Sequence, residues 1–135
     1  MKNSSRFPSI WVALGGALGA LSRYGVDCAL DGLLHSGAGF PWATFGINLL
    51  GSFLLGWILS RAETGESGDS WLRDFGGLGF CGAFTTFSTM NLEMVEMAQS
   101  GSLALAVGYF MASIVCGIAM AWFGAGLGVK PRKVC

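Results

Sequence analysis

The segment "GFCGAFTTFSTM", residues 79–90, carries an unusual density of polar side chains for an apolar stretch. Glycines precede two adjacent threonines, and both features disfavour a continuous helix because threonine competes for backbone hydrogen bonds. At membrane depth, irregular backbone is tolerated only when it is buried in protein or lines a cavity. A break here would free carbonyls such as those of Gly82 and Thr85 to bind a cation. The hydroxyls of Thr86, Ser88 and Thr89 would then line a polar path; hydroxyls that merely pack between helices are the alternative.

Other residues have groups suited to a small anion. The ring edge of Phe87 is electropositive and could face an anion as a weak ligand. Asn48, in an otherwise apolar stretch, could offer amide N–H donors, although hydrogen bonding between helices accounts for it equally well. Ser113 and Tyr109, one turn apart, are weaker candidates because a serine can bond to its own backbone.

Charged residues inside apolar stretches are costly and usually functional or paired. Arg23 either snorkels near a helix end with Asp27 as its partner or stands at an aqueous vestibule, where it would raise the local anion concentration. Glu93 and Glu96 either lie in the interface or a wet vestibule, or form a proton or cation site.

The elements that position these residues are predicted to be membrane helices. The chain has 135 residues, of which 53% are hydrophobic and 12% charged, whereas soluble domains carry roughly a quarter charged residues. Net charge is zero, which argues against nucleic acid as a partner. The four cysteines and His35 have no metal-ligand spacing. With no catalytic set either, we predict that the chain is not an enzyme.

The apolar stretches predict four membrane-spanning helices, since one span needs roughly 20 apolar residues. They cover about 9–33, 40–60, 71–98 and 102–129, and make residues 1–135 a single all-α integral membrane domain with a break in the third helix. "RAETGESGDS", residues 61–70, is predicted as a hydrophilic loop and "QSG", residues 99–101, as a tight turn. Repeated glycines predict close approach of helix backbones. The basic start is taken as part of a retained first helix rather than a signal peptide.

Basic residues predict the orientation in the membrane. The residues that flank the helices all fall on one side: Lys2, Arg6, Arg61, Arg73, Lys130, Arg132 and Lys133. By the positive-inside rule both termini are therefore expected in the cytoplasm.

Three of the motifs resemble those of a known family. "GALGALSRY", "PWATFGINLLGSFLLG" and above all "GFCGAFTTFST" are similar to the Fluc/CrcB fluoride channels over nearly the whole chain. The resemblance implies a passive, fluoride-selective channel in the bacterial inner membrane that exports cytoplasmic fluoride and confers fluoride resistance. It further implies an antiparallel, dual-topology homodimer with two pores, and a structural sodium ion (Na⁺) on the dimer axis, held by the carbonyls of Gly82 and Thr85.

The resemblance also assigns roles to individual residues. It places Asn48 and Phe87 in the pore, with Arg23 and Glu93 at the vestibule. The polar track and the polar positions on the fourth helix correspond to Ser88, Thr89, Asn91, Tyr109 and Ser113.

Two departures from the family pattern bear on these assignments. Met90 stands where the family has a second phenylalanine, and methionine fills a similar volume but lacks the electropositive ring edge. The one-sided Lys/Arg distribution is unexpected for a chain that inserts both ways. Pairing with an oppositely oriented homologous subunit is therefore an alternative to a homodimer.

Two other functions remain open at this stage. A small proton-coupled multidrug exporter would need an embedded carboxylate, for which Asp27 and Asp31 are weak candidates. A non-transporting membrane assembly subunit would need none of the pore residues.

Overall fold

The computed structural model describes residues 8–34, 39–64 and 70–129, and the regular elements within these ranges are all helical. We refer to residues 70–99 as the third rod, because its short elements follow one another with a single interruption. In chain order the elements are α1 (Pro8–Leu34), α2 (Trp42–Thr64), α3 (Ser70–Leu72), a π-helix (Arg73–Cys81), α4 (Gly82–Phe84), α5 (Phe87–Gln99) and α6 (Leu103–Gly128).

Both predicted boundaries of the loop after the second helix are wrong. α2 continues through Arg61 to Thr64, and Ser70 already belongs to α3. Arginine, alanine and glutamate are good helix formers, so hydrophilicity alone does not end a helix. The guanidinium of Arg61 also lies 5.8 Å from the ring centroid of Trp57, one turn earlier. Residues 65–69 of the predicted loop lie outside the described residues.

Two of the described helices are long and apolar enough to cross a membrane: α2 over Trp42–Glu63 and α6 over Leu103–Gly128. α1 is 27 residues long but contains Arg23, Asp27 and Asp31, and the third rod is interrupted. The described residues are therefore all-helical, with two helices of membrane-spanning length and composition. Spanning by α1 and the third rod stays a prediction. Most of the basic residues used to predict orientation lie outside the described residues: Lys2, Arg6, Lys130, Arg132 and Lys133.

Glycines bring α1 against the third rod. A Cβ atom on Gly15 would overlap the carbonyl oxygen of Phe75, and one on Gly19 would overlap that of Phe80. Such approach of backbones is possible only without a side chain, as in other membrane helix pairs. α1 is thereby packed on the π-helix, ahead of the polar segment.

Glycines also join α2 to α6. A Cβ atom on Gly56 would overlap the carbonyl oxygen of Ala121, and one on Gly124 would overlap that of Phe53. The helices thus pack as two close pairs, α1 with the third rod and α2 with α6. Residues that could do chemistry lie where these two pairs meet.

The tight turn predicted at residues 99–101 is present at Ser100 and Gly101, while Gln99 still belongs to α5. Gly101 has a φ of 86°, a conformation that favours glycine. The N–H of Ser102 donates to the carbonyl oxygen of Met97 at 2.8 Å, which closes the turn. α5 and α6 therefore return on one another with few connecting residues.

Candidate functional site

The third rod leaves helical conformation at Thr85 and Thr86. Thr85 has φ −74° and ψ 153°, Thr86 has φ −142° and ψ 115°, and helical geometry resumes at Phe87. Gly79 and Gly82, whose presence led us to expect a break, are themselves helical. The interruption lies at the threonines because the Thr86 hydroxyl caps the next helix, accepting from the N–H of Thr89 at 3.2 Å.

Asn48 on α2 supplies hydrogen bonds that a continuous helix would have provided. Its Oδ1 atom accepts from the backbone N–H of Thr86 at 2.8 Å. Its Nδ2 atom donates to the backbone carbonyl oxygen of Thr86 at 3.0 Å. One side-chain amide thus satisfies both backbone groups of the non-helical residue, which is what buried backbone requires.

At the interruption, the carbonyl oxygens of Gly82 and Thr85 lose the backbone N–H donors that a continuous helix would supply. In a continuous helix the N–H of Thr86 would bond to the oxygen of Gly82, and the N–H of Thr89 to that of Thr85. Here the first donates to Asn48 and the second to the Thr86 hydroxyl. These are the two carbonyls that the sequence suggested as cation ligands.

Hydroxyls form a compact cluster at the start of α5. The Thr86 hydroxyl donates to that of Thr89 at 2.9 Å, and its oxygen lies 3.3 Å from that of Ser88. The Asn91 side chain donates to the Phe87 carbonyl oxygen of its own helix at 2.9 Å. Ser88, Thr89 and Asn91 thus follow the interruption along α5.

An open groove of about 630 Å³ runs past the interruption between α2, the third rod and α6. None of the side chains that line it is charged, and it gathers about half of the predicted site residues. The predicted residues in its lining are Asn48, Gly82, Thr85, Thr86, Phe87, Met90 and Ser113. The others in its lining are Gly51, Ser52, Leu55, Gly77, Leu78, Cys81, Phe110 and Ile114.

Phe87 and Met90 contribute to this groove in opposite ways. Phe87 is 69% exposed, so in one chain its ring is available to a ligand, to lipid or to another subunit. Met90 is only 5% exposed and packs in an apolar cluster with Met97, Ala106 and Tyr109. The methionine that replaces the expected phenylalanine is therefore a core residue of this chain as well as part of the groove wall.

A second polar cluster lies outside the groove and is centred on Glu93. The Thr44 hydroxyl donates to Glu93 Oε1 at 2.5 Å, and the Tyr109 hydroxyl donates to Oε2 at 2.9 Å. Thr44 and Tyr109 are both buried. The carboxylate thus ties α5 to α2 and α6 at once.

Among the remaining predicted residues, Ser113 lines the groove and the others do not. The Ser113 hydroxyl donates to the Tyr109 carbonyl oxygen of its own helix at 2.8 Å, the bond that made serine a weak candidate in the sequence. Arg23 is half-buried on α1 and is not part of the groove lining. Ser88, Thr89, Asn91, Tyr109 and Glu93 likewise lie outside the lining, although the first two bond to Thr86.

Sequence reasoning missed three residues. Thr44 was available as the residue one turn before Asn48, on the same face of α2. Gly51, in the groove, was attributed only to helix packing. Asp74 is buried at 5% exposure, with Arg73 Nε 3.6 Å from its Oδ1, and only its place in a glycine-rich stretch could have drawn attention to it.

Side-chain metal ligands do not converge in the part of the chain that the structure describes: no three His, Cys, Asp or Glu residues there could hold an ion together. Carbonyls at unwound membrane helices and the C-terminal ends of half-helices suit Na⁺, and the Gly82 and Thr85 carbonyls have that character.

Comparison with known proteins gives a consistent result. Residues 10–125 match the family described as CrcB-like protein, Camphor Resistance (CrcB). A relative in Thermus thermophilus is named fluoride-specific ion channel FluC; it is 44% identical over 118 residues, covering 87% of this chain and 91% of the relative. One of the same name in Acidobacterium capsulatum is 43% identical over 119 residues, covering 88% and 94%. Geobacillus kaustophilus has a relative named FluC 2, 35% identical over 122 residues and covering 90% and 93%.

Proposed function

Because the chain belongs to the CrcB family, in which the relatives compared are named fluoride-specific ion channels, we propose that it is a fluoride-specific ion channel and not an enzyme. It is a passive pore that lets fluoride leave the cytoplasm and so confers fluoride resistance. The observation that supports this best is the groove at the interruption, where Asn48, Thr86, Phe87 and Ser113 line one uncharged surface.

A groove of this kind suits an anion that must bind and leave again. Neutral donors can replace part of the hydration shell, whereas a fixed positive charge would hold the anion too tightly for conduction. Asn48 uses one amide N–H on the Thr86 carbonyl oxygen, and an asparagine amide has two. We assign the second N–H to the anion, together with the ring edge of Phe87 and, beyond them, the hydroxyls of Ser88 and Thr89.

The driving force for export is electrical. A negative-inside membrane potential favours outward movement of one negative charge by about 2.3 kcal/mol per 100 mV. Arg23 at a vestibule would raise the local anion concentration, and Glu93 marks the far end of the polar track. The chain acts in this way as a multi-pass protein of the bacterial inner membrane, crossing it with all four rods.

One chain alone does not enclose a pore. The groove is open, and the large apolar side chains of Leu78, Phe87 and Ile114 are exposed along it. A second subunit that covers this face completes the path, and the family resemblance suggests an antiparallel, dual-topology dimer with two pores. The one-sided Lys/Arg distribution makes a homologous partner chain the alternative to a homodimer, and Geobacillus kaustophilus, with relatives named FluC 1 and FluC 2, is an example of an organism with two such chains.

The same dimer would hold a structural Na⁺ on its axis. Gly82 and Thr85 have carbonyls whose helical donors are diverted, and Gly82 is exposed with nothing within 4 Å of where its Cβ would be. Each subunit contributes two oxygens, so the site is complete only when two subunits meet. The cation supplies positive charge at the centre of a structure built to pass anions.

Reconstitution tests the proposal directly. The purified chain in liposomes loaded with potassium fluoride should release fluoride only when a potassium ionophore provides a counter-current, and should not release chloride under the same conditions. Labelling of each copy from one side of the liposome would report whether both orientations occur. Fluoride release without the ionophore would contradict a conductive pore.

A proton-coupled multidrug exporter is the second candidate, because Glu93 is a membrane-helix carboxylate within a polar cluster. It predicts uptake of organic cations driven by a pH gradient and no fluoride current in the same liposomes. If neither flux is observed, the remaining alternative is a non-transporting membrane assembly subunit. That alternative predicts that changes at Asn48 or Phe87 do not alter fluoride sensitivity.

A further inference from the structure

Gly51 on α2 lies directly against the side chain of Thr85 at the interruption. A Cβ atom on Gly51 would overlap Thr85 Cγ2, and would lie 3.5 Å from Cδ1 of Phe84. Gly51 is buried and lines the groove. The methyl group of Thr85 therefore occupies the space that any larger residue at position 51 would need.

The rest of Thr85 is fixed by the carbonyl oxygen of Cys81. The Thr85 hydroxyl donates to that oxygen at 2.9 Å, and the Thr85 backbone N–H donates to it at 3.1 Å. Threonine has few staggered side-chain conformations. Moving the methyl group away from α2 would thus break the hydroxyl bond or shift the backbone of Thr85.

We propose that Gly51 is a positioning residue for the cation site: the space it leaves sets the direction of the Thr85 carbonyl. The inference rests on the proposed cation role of Gly82 and Thr85, and it adds a residue that does not itself touch the ion. The Thr85 ψ of 153° turns its carbonyl away from the helical direction, and the interlock between Gly51 and the Thr85 methyl holds it there.

The same helix offers a matched control. A Cβ atom on Gly46 would have nothing within 4 Å. Gly46→Ala and Gly51→Ala make the same chemical change in α2 and gain the same helix propensity. They differ in whether the new methyl group meets Thr85.

The experiment measures the thermal unfolding midpoint of the purified full-length chain in detergent, in sodium chloride and in N-methylglucamine chloride. Sodium should raise the midpoint of the wild type and of Gly46→Ala by the same amount, because a ligand that binds only the folded state stabilises it. Gly51→Ala should lose this sodium-dependent rise. A residue with only a packing role would lower the midpoint equally in both salts.

A second variant tests the mechanism and guards against a misfolded single mutant. Serine at position 85 keeps the hydroxyl that bonds to Cys81 but lacks Cγ2, so Gly51→Ala/Thr85→Ser should recover the sodium-dependent rise. An undiminished rise in Gly51→Ala overturns the role of Gly51, as does a folded double variant without any rise. A wild type that does not respond to sodium removes the cation site itself, while fluoride efflux from liposomes tests the channel separately.

Discussion

Two polar connections, one helical turn apart on α2, join it to the third rod in contrasting ways. At Asn48 a neutral amide bonds to both backbone groups of Thr86. At Thr44 a hydroxyl donates to the carboxylate of Glu93, which also accepts from Tyr109 on α6. The first connection depends on backbone atoms, which every residue has, and the second depends on three particular side chains.

The first connection therefore determines a backbone conformation, and the second determines the position of an ionisable side chain. The Asn48 connection stabilises the non-helical backbone of Thr86, a residue that lines an uncharged groove. The Glu93 connection instead keeps an ionisable group bonded to two hydroxyl donors and outside that groove. Hydrogen bonds to a charged group are stronger than neutral ones, so the two hydroxyl donors fix the position of the Glu93 side chain.

The largest effect is expected when a charge is introduced into the neutral connection. Asn48→Asp should lower fluoride flux in liposomes by about a hundredfold or more. A fixed negative charge about 4 Å from a permeating anion costs about 4 kcal/mol at an effective dielectric constant of 20, and aspartate also loses the donor to the Thr86 carbonyl. Flux at the wild-type level would remove Asn48 from the pore.

The comparison for this change is the same substitution at Asn91, which the resemblance places further along the polar track. Its amide bonds to the Phe87 carbonyl of its own helix, outside the groove lining. Asn91→Asp should therefore reduce flux far less than Asn48→Asp. Equal losses would mean that the effect comes from charge on the protein as a whole and not from the groove.

An intermediate effect is expected within the neutral region, at its two apolar side chains. Phe87→Ile should lower fluoride flux more than Met90→Ile, because only the phenylalanine has an exposed ring edge. Met90→Ile should act on stability instead, costing less than about 1.5 kcal/mol as a volume-conserving core change. Flux and thermal unfolding of both variants distinguish these roles, and equal flux in both would argue against ring-edge coordination.

The smallest effect is expected at the charged connection, and it concerns stability. Tyr109→Phe should destabilise the fold by about 1 kcal/mol, since it removes the hydroxyl donor to Glu93 Oε2. Glu93→Gln should cost about as much, because hydrogen bonds to a neutral amide are weaker than those to a carboxylate. The double variant should cost less than the sum of the two, with a coupling of about 0.5 kcal/mol or more. Additive losses in denaturant unfolding would show that the Tyr109–Glu93 hydrogen bond contributes nothing.

The sequence predicted where the polar chemistry lies better than how it is held. "GFCGAFTTFSTM" contains the interruption, and Gly82 and Thr85 have the carbonyls whose helical donors are diverted. These are local features, which depend on threonine competing for backbone bonds and on spacing within one helix. They can therefore be read from neighbouring residues.

Contacts between distant segments could not be predicted in this way. Asn48 meets Thr86 and Thr44 meets Glu93 only because α2 packs on the third rod in one register, which no local pattern specifies. For the same reason Gly51 looked like any other packing glycine. The sequence presents Met90 only as the replacement for a pore phenylalanine, and its burial in a cluster with Tyr109 depends on how α5 packs on α6.

The pairing of α1 with the third rod, and of α2 with α6, has a consequence for biosynthesis. Synthesis from the N-terminus completes α1 before the carbonyls of Phe75 and Phe80 exist. The glycine face of α1 therefore has no partner until after α2 has been synthesised, and α2 in turn has no partner until α6 has been made. The partners in each pair are separated along the chain by a helix of the other pair. Neither pair can therefore form early as a hairpin of two consecutive helices.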